Sequence, residues 1–292
     1  MLVFTYFGIP LPLTYNLQTV YPSNSKRRVY PLKWARIIPE RTMMNDSSYQ
    51  VDFTIRPDEA DRNGLCTIRT LCNLFQHSAF LNAEALDFGV DTLGRDNKTW
   101  MLTRLLITVD KPARYGDTLT VSTWPTGLDK LFALRDFKAT AKDGATVALG
   151  TSSWCVVDLS ARRIVRPEGT LSEYSSNSRA LERTLGKIEP IRRATPYIKN
   201  LDVRFRDIDV NRHVNNVSFI EWMCEAVPYD ILSESFCSEL EINFLKEAFY
   251  GDTILSFAAP HKENSRAFHH ALRRKDEEED AARARTVWTK TG

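Results

Sequence analysis

No uninterrupted apolar run in the 292-residue sequence approaches the roughly 20 residues a helix needs to cross a bilayer, so no membrane span is expected. Cysteine is sparse. Cys66, Cys72, Cys155, Cys224 and Cys237 are scattered and form no CxxC pair, which argues against a disulfide framework or a zinc site and for buried thiols in a reducing compartment. A cytoplasmic protein is expected, or a plastid-stromal one if the source is a plant. A bulk charge of one sign is missing too: 39 Lys and Arg face 37 Asp and Glu, leaving a formal net charge of +2. That balance gives no reason to expect a nucleic-acid partner, and an acidic partner would have to meet a local patch. The first 39 residues lack Asp and Glu altogether, and neither helical nor strand periodicity appears before Tyr49. Residues 1–44 read as an extension outside the fold: either a targeting peptide, or an upstream stretch with the natural start at Met43 or Met44. What remains is ample for a packed core, with 43% apolar residues in the whole chain.

Self-similarity organises that remainder. Lys111-Pro112-Ala113-Arg114-Tyr115-Gly116-Asp117-Thr118 in the first half matches Lys246-Glu247-Ala248-Phe249-Tyr250-Gly251-Asp252-Thr253 in the second. Upstream, Asp61-Arg62-Asn63 aligns with Asp209-Val210-Asn211; downstream, Trp154 aligns with Trp288. The order Asp-x-Asn, helix, Tyr-Gly-Asp-Thr strand, hairpin, Trp therefore occurs twice.

The apolar spacing Leu71, Leu74, Phe75, Ser78, Ala79 predicts a helix from Ile68 to Leu86. A second begins near Asn216, with Val217, Ile220, Cys224 and Val227 at helical steps and Phe219, Trp222 and Met223 on its other sides. A helix apolar nearly all round should be wrapped. Strands are expected at 101–109, 118–124, 133–141 and 146–157, then at 239–244, 253–259, 267–274 and 283–288. Lys142-Asp143-Gly144 is a hairpin turn, and by the repeat the charged run Lys275 to Asp280 is a solvated hairpin end rather than a binding tail. One long helix enclosed by a mostly antiparallel sheet, present twice, gives an α+β double hotdog fold. Its units are placed at 45–171 and 200–292, joined by a polar linker, 172–199, that Pro190 and Pro196 interrupt.

Reactive side chains are densest between Arg206 and Asn216, just before the second helix. A helix start offers unpaired N–H groups and the positive end of the dipole. In extended chain, Asp209, Asn211 and His213 would point to one side; alternatively Asp209 and Asn211 make only an Asx turn, and Asn215 or Asn216 only caps the helix. The repeat bears on that choice. Opposite His213 and Glu247 the first copy has Leu65 and Pro112, whereas Asp209 and Asn211 keep counterparts in Asp61 and Asn63. A structural need should be met in both copies, a catalytic one in only one, so His213 and Glu247 are the stronger catalytic candidates.

These residues carry a resemblance. From Tyr49 to Trp288 the chain resembles the acyl-acyl carrier protein thioesterases of bacteria and plant plastids. The likeness includes Trp100-Met101-Leu102-Thr103-Arg104, Thr123-Trp124-Pro125, Arg135-Asp136-Phe137, and the Asp-x-Asn-x-His-Val-Asn-Asn block running on to Glu221-Trp222 and Glu225. The resemblance implies a catalytic network of Asp209, Asn211, His213 and Glu247, with Trp100, Arg104, Trp124, Asn215 and Asn216 as substrate-binding candidates. It also implies an acyl chain held by the first unit and chemistry in the second. No metal or cofactor is implied. Plant members place a Cys after the Glu; Ala248 stands here, which excludes a cysteine acyl-enzyme at that position and favours direct attack by water.

On this reading His213, with Glu247 or Asp209, polarises water, while Asn211 and a helix-start N–H hold the oxyanion. The expected partner is acylated acyl carrier protein. Arg162, Arg163, Arg166, Arg192, Arg193, Arg204 and Arg206 are candidates to meet it or simply form a solvated face. Competing readings are an acyl-CoA thioesterase, a hotdog dehydratase and a non-enzymatic acyl-binding regulator; a homodimer is left open, as is acyl chain length.

Overall fold

The structure, a computed structural model, describes residues 47–167, 178–191, 195–209 and 212–291. Its first half contains β1 (Tyr49–Thr54), α1 (Ile68–Ala85), α2 (Val90–Arg95), β2 (Lys98–Val109), β3 (Thr118–Asp129), β4 (Phe132–Ala141), β5 (Thr146–Asp158) and the short β6 (Arg163–Val165). The second contains β7 (Tyr197–Asp202), α3 (Asn216–Glu225), α4 (Tyr229–Glu234), β8 (Ser235–Phe244), β9 (Thr253–Pro260), β10 (Ala267–Arg274) and β11 (Asp280–Lys290). The strands form one 11-stranded sheet in the order β1-β3-β4-β5-β2-β8-β11-β10-β9-β7, with β6 on β5. Read outward from the middle, the order is the same in each half. The two copies meet where β2 pairs antiparallel with β8, from Arg104↔Asn243 to Thr108↔Glu239.

Strand alternation sorts the side chains of that seam. Leu105, Ile107, Leu240 and Ile242 join a core that also takes in the buried faces of α1 and α3. Thr67 caps α1 by accepting the Thr70 N–H at 3.1 Å, and Phe75 of the helix stacks on Phe137 at 4.8 Å. Gly150 is required beneath that ring, because a Cβ there would lie 2.7 Å from Phe75. Burying such a side chain stabilises the fold by about 2–3 kcal/mol. The helices run antiparallel to each other: Arg69 meets Glu221 at 2.8 Å and the Asn216 amide donates to Gln76 at 3.2 Å.

One expectation is corrected and one is refined. The second helix is not long: α3 has 10 residues against 18 in α1. The reason is Pro228, which biases Val227 away from helical backbone and opens the separate α4. The 275–280 tip is a hairpin end exposed at Lys275, Asp276, Glu278 and Glu279, as expected, but three of its acids are engaged. Asp280 is buried between Arg273 (2.9 Å) and Arg283 (2.7 Å), while Glu277 and Glu279 pair with Lys246.

The joining segment has structure of its own kind. β7 starts at Tyr197, inside the stretch read as linker; this edge strand is mostly exposed and lacks alternation, so the sequence pattern does not reveal it. Residues 178–191 cross the sheet on the face away from the helices. Arg179 and the Ala180 N–H reach the fully buried Asp136 of β4 at 2.9 and 2.7 Å. Farther along, Arg183 pairs with Glu239 of β8 at 2.7 Å, and the Asn243 amide accepts from Ile188 at 2.9 Å and donates to Gly186 at 3.2 Å. The strap thus spans both halves over the β2–β8 seam.

Candidate active site

Each copy builds one frame at the start of its helix. In the second, Asp209 N–H donates to the His213 carbonyl at 2.8 Å, and the Asp209 carboxylate accepts the His213 N–H at 3.3 Å. In the first, Asp61 N–H donates to Leu65 at 2.8 Å, and its carboxylate accepts the Asn63 and Leu65 amides at 2.8 and 3.0 Å. The segment is therefore a tight turn. The extended geometry that would align alternate side chains is not what carries them, and Asp209 does the turn-forming work that Asp61 does. Val214 N–H then bonds Ala248 O at 3.1 Å, as Cys66 bonds Ala113 at 2.8 Å, which fixes the turn against the chain leaving β8 or β2.

On this shared frame the differing residues face each other. His213 Nδ1 lies 3.2 Å from Glu247 Oε1, both side chains partly exposed. Phe249 sets the edge of its ring against the imidazole, 5.6 Å between centroids. Phe249 is not among the residues expected from the sequence, although the same comparison of copies flags it, since its counterpart is Arg114. Nor is Asp207, which is buried and braces the entry to α3. The Asp207 carboxylate accepts the Arg204 N–H at 2.8 Å, and its carbonyl accepts the Asn215 N–H at 2.8 Å.

Asn215 is the N-cap of α3, its side chain accepting the Val217 N–H at 3.0 Å, and Asn216 spends its amide on Gln76. With Val214, Asn215, Val217 and Ser218 amides all engaged, the Asn216 N–H is the helix-start donor without a partner among the described residues. Asn211 lies outside the described residues. The other substrate-binding candidates stand apart from His213. Trp100 donates to Phe88 O at 2.7 Å beside a cavity of about 160 Å³. Arg104 donates to Leu185 O at 2.6 Å and Trp124 to Ser178 O at 2.8 Å, so the donor groups of both tie down the strap.

The thiols are poor nucleophiles. Burial pushes Cys66, Cys72, Cys155 and Cys224 up to about 12, and Cys237 well above its ordinary value, so all stay protonated near neutrality.

Residues 46–174 match the model of the acyl-ACP thioesterase N-terminal domain, and residues 191–290 match that of the acyl-ACP thioesterase C-terminal domain. The chain belongs to the acyl-ACP thioesterase family. Among similar members is the acyl-[acyl-carrier-protein] hydrolase FATB3, chloroplastic, of Cuphea viscosissima, 27% identical over 86% of this chain and 65% of that protein. Another is the palmitoyl-acyl carrier protein thioesterase, chloroplastic, of Arabidopsis thaliana, also 27% identical, over 82% and 60%. The chain thus spans slightly less than two thirds of these curated relatives. An acyl-ACP thioesterase structure from Bacteroides thetaiotaomicron aligns with a TM-score of 0.74 and 26% identity, over 83% of this chain and 98% of that one. The 12:0-ACP thioesterase of Umbellularia californica shares the fold, with a TM-score of 0.75, 21% identity, and 85% and 100% of the two chains covered. The double hotdog architecture of the family is that of this chain. No helix among the described residues is long and apolar enough to cross a membrane.

Proposed function

We propose that this family member hydrolyses the thioester of acyl-acyl carrier protein, releasing fatty acid and free carrier thiol. The observation that carries the reading is the His213–Glu247 contact, placed on a frame whose other copy holds Leu65 and Pro112. With Nδ1–H directed to Glu247, the neutral ring leaves the Nε2 lone pair free. Nε2 takes a proton from water as the water oxygen bonds the thioester carbon. The tetrahedral oxyanion is held by the Asn216 N–H and, from the motif, by the Asn211 amide. The C–S bond then breaks, and the imidazolium returns its proton to the leaving thiolate. Glu247 stabilises the imidazolium in between, as a carboxylate does for any base of this kind. Asp209 shapes the turn that presents His213.

The acyl chain is assigned to the first half, where Leu65 and Pro112, neither able to transfer a proton, stand in the places of His213 and Glu247. Thiols that are mostly buried fit a reducing compartment, bacterial cytoplasm or plastid stroma. The test is free-thiol release from matched acyl-carrier and acyl-CoA substrates. Faster turnover of the carrier form is expected; preference for CoA esters would make this a CoA thioesterase. Enoyl product from 3-hydroxyacyl thioesters without thiol release would make it a dehydratase.

A further inference from the structure

We propose that the turn carrying Phe205 and Arg206, together with Tyr250 and Arg212, is the surface on which an acidic carrier protein docks to present its thioester to His213. The inference rests on the hydrolytic reading above and names the partner-facing side of that site. Both copies fold a short 3₁₀ turn before the helix, Pro57–Glu59 and Phe205–Asp207, and each turn receives the amide of the helix cap: Thr67 N–H on Glu59 O at 3.2 Å, Asn215 N–H on Asp207 O at 2.8 Å. The backbone task is the same, yet the side chains are not. Where the first copy has Pro57 and Asp58, the second has Phe205 and Arg206. Pro suffices for the turn, so folding does not call for the aromatic, and Phe205 is 84% exposed. It stands edge-on to Tyr250, 6.5 Å between centroids, which is itself 68% exposed.

The cations differ in the same sense. Asp58 is tied to Arg56 at 3.3 Å, whereas Arg206 has no carboxylate partner among the described residues. Arg212 sits at φ +68°, the place where the first copy uses Gly64 at φ +72°. A side chain in that left-handed conformation costs about 1 kcal/mol, which the turn itself would avoid with glycine. What Arg212 adds is an exposed positive charge next to His213. Arg206 also lines a polar cleft of about 490 Å³ shared with the first half, where Arg56 is paired with Asp58 and Glu59 and Arg69 with Glu221.

Exposed aromatics beside unpaired arginines are the composition of an interface centre. Arg206 and Arg212, which have no carboxylate partner among the described residues, ask for an acidic occupant. Two discrete rings without a continuous basic groove suit a folded protein surface better than a nucleic-acid strand. The patch adjoins the chemistry, because Tyr250 follows Phe249, the residue packed on His213.

The experiment compares Phe205→Ala and Arg206→Glu with wild type on two substrates, an acyl-carrier protein and the same acyl group on a truncated thiol, N-acetylcysteamine. The ratio of kcat/KM between carrier-borne and truncated substrate should fall about tenfold in each variant. For Arg206→Glu the loss should reside in KM and shrink at about 0.5 M salt. An unchanged ratio, whether both substrates are hit equally or neither is, overturns the docking surface. Fluorescence anisotropy of labelled carrier protein reads the same patch without chemistry. If wild type hydrolyses neither substrate, the hydrolytic reading fails by itself, and loss of carrier binding in Arg206→Glu still decides the surface.

Discussion

Replacing Glu247 with Gln tests the pairing on which the proposed chemistry depends. The change keeps size and a carbonyl acceptor for the His213 Nδ1–H but removes the negative charge, so it isolates what that charge contributes when the imidazolium forms. At the 3.2 Å separation, Coulomb's law gives about 5 kcal/mol at an effective dielectric near 20 and about 1.3 kcal/mol in bulk water. His213 is 38% exposed and Glu247 23%, so solvent screening places the working value between these, about 2–3 kcal/mol. That corresponds to a fall in kcat of about 30- to 150-fold. KM should stay within about twofold, since the charge acts on a species present only as the water proton moves. The assay is thiol release at saturating acyl-carrier substrate, with circular dichroism to confirm folding. A Glu247→Gln enzyme with wild-type kcat would refute the role assigned to the carboxylate, and so would a loss confined to KM.

Other residues make separable predictions. His213→Ala should lower kcat by about 10²- to 10⁴-fold. Asn63→Ala removes a hydrogen bond to Ser233 O at 3.1 Å, so it should cost about 1 kcal/mol in a urea melt and change kcat by less than about threefold. Cys224→Ala and Cys237→Ala should keep most of the activity because burial holds both thiols protonated; inactivation of either with the fold intact would revive a thiol mechanism. His270 is buried, its Nε2 2.8 Å from Thr286 Oγ1, and burial lowers its pKa to about 3 from 6.5. Between those values the unfolded chain binds the extra proton, so this group makes stability fall as pH drops from about 6.5 towards 3, by up to about 1.4 kcal/mol per pH unit. His270→Phe, which copies the Phe137 that occupies the matching place in the first half, should flatten that slope in denaturant melts taken across the window.

The parts of the fold visible in the sequence are those with strong periodicity. α1 shows because Leu71, Leu74, Phe75, Ser78 and Ala79 face one core, and the central strands show because both faces or alternate faces are buried. β7 does not show, being an exposed edge strand with hardly any alternation, whereas β1 is missing from the expected strands although Tyr49, Val51 and Phe53 alternate fully with the exposed Gln50, Asp52 and Thr54. The strap reads as plain linker because its attachments are long-range and polar: Asp136 gives no local hint that Arg179 will enclose it. Within the site, the meeting of His213 and Glu247 can be inferred from the repeat, while the turn at Asp209 is one of the two backbone readings that the sequence leaves open. Asx-turn hydrogen bonds from Asp209 depend on backbone direction, and the αL conformation of Arg212 contradicts residue preference.

Duplication explains why the site can be built on shared geometry and still be one-sided. The turn bonds of Asp61 and Asp209, the strand contacts of Cys66 and Val214, and the indole bonds of Trp154 to Ser152 (2.8 Å) and Trp288 to Thr286 (2.9 Å) recur because each half must close its own helix against its own strands. Departures from that repetition cost stability: an unpaired arginine, a non-glycine αL residue, an exposed Phe, a partly exposed acid beside a histidine. The αL arginine, the exposed Phe and the acid beside the histidine gather around one end of α3, and at the matching end of α1 those places are held by Gly64, Pro57, Pro112 and Leu65. In place of such departures, the first-copy turn makes contacts with α4, through Arg62 to Tyr229 and Asn63 to Ser233. One copy of the turn thus serves to dock the second half, which leaves its twin free of that task and open to solvent, as a site that must admit a carrier-bound thioester has to be.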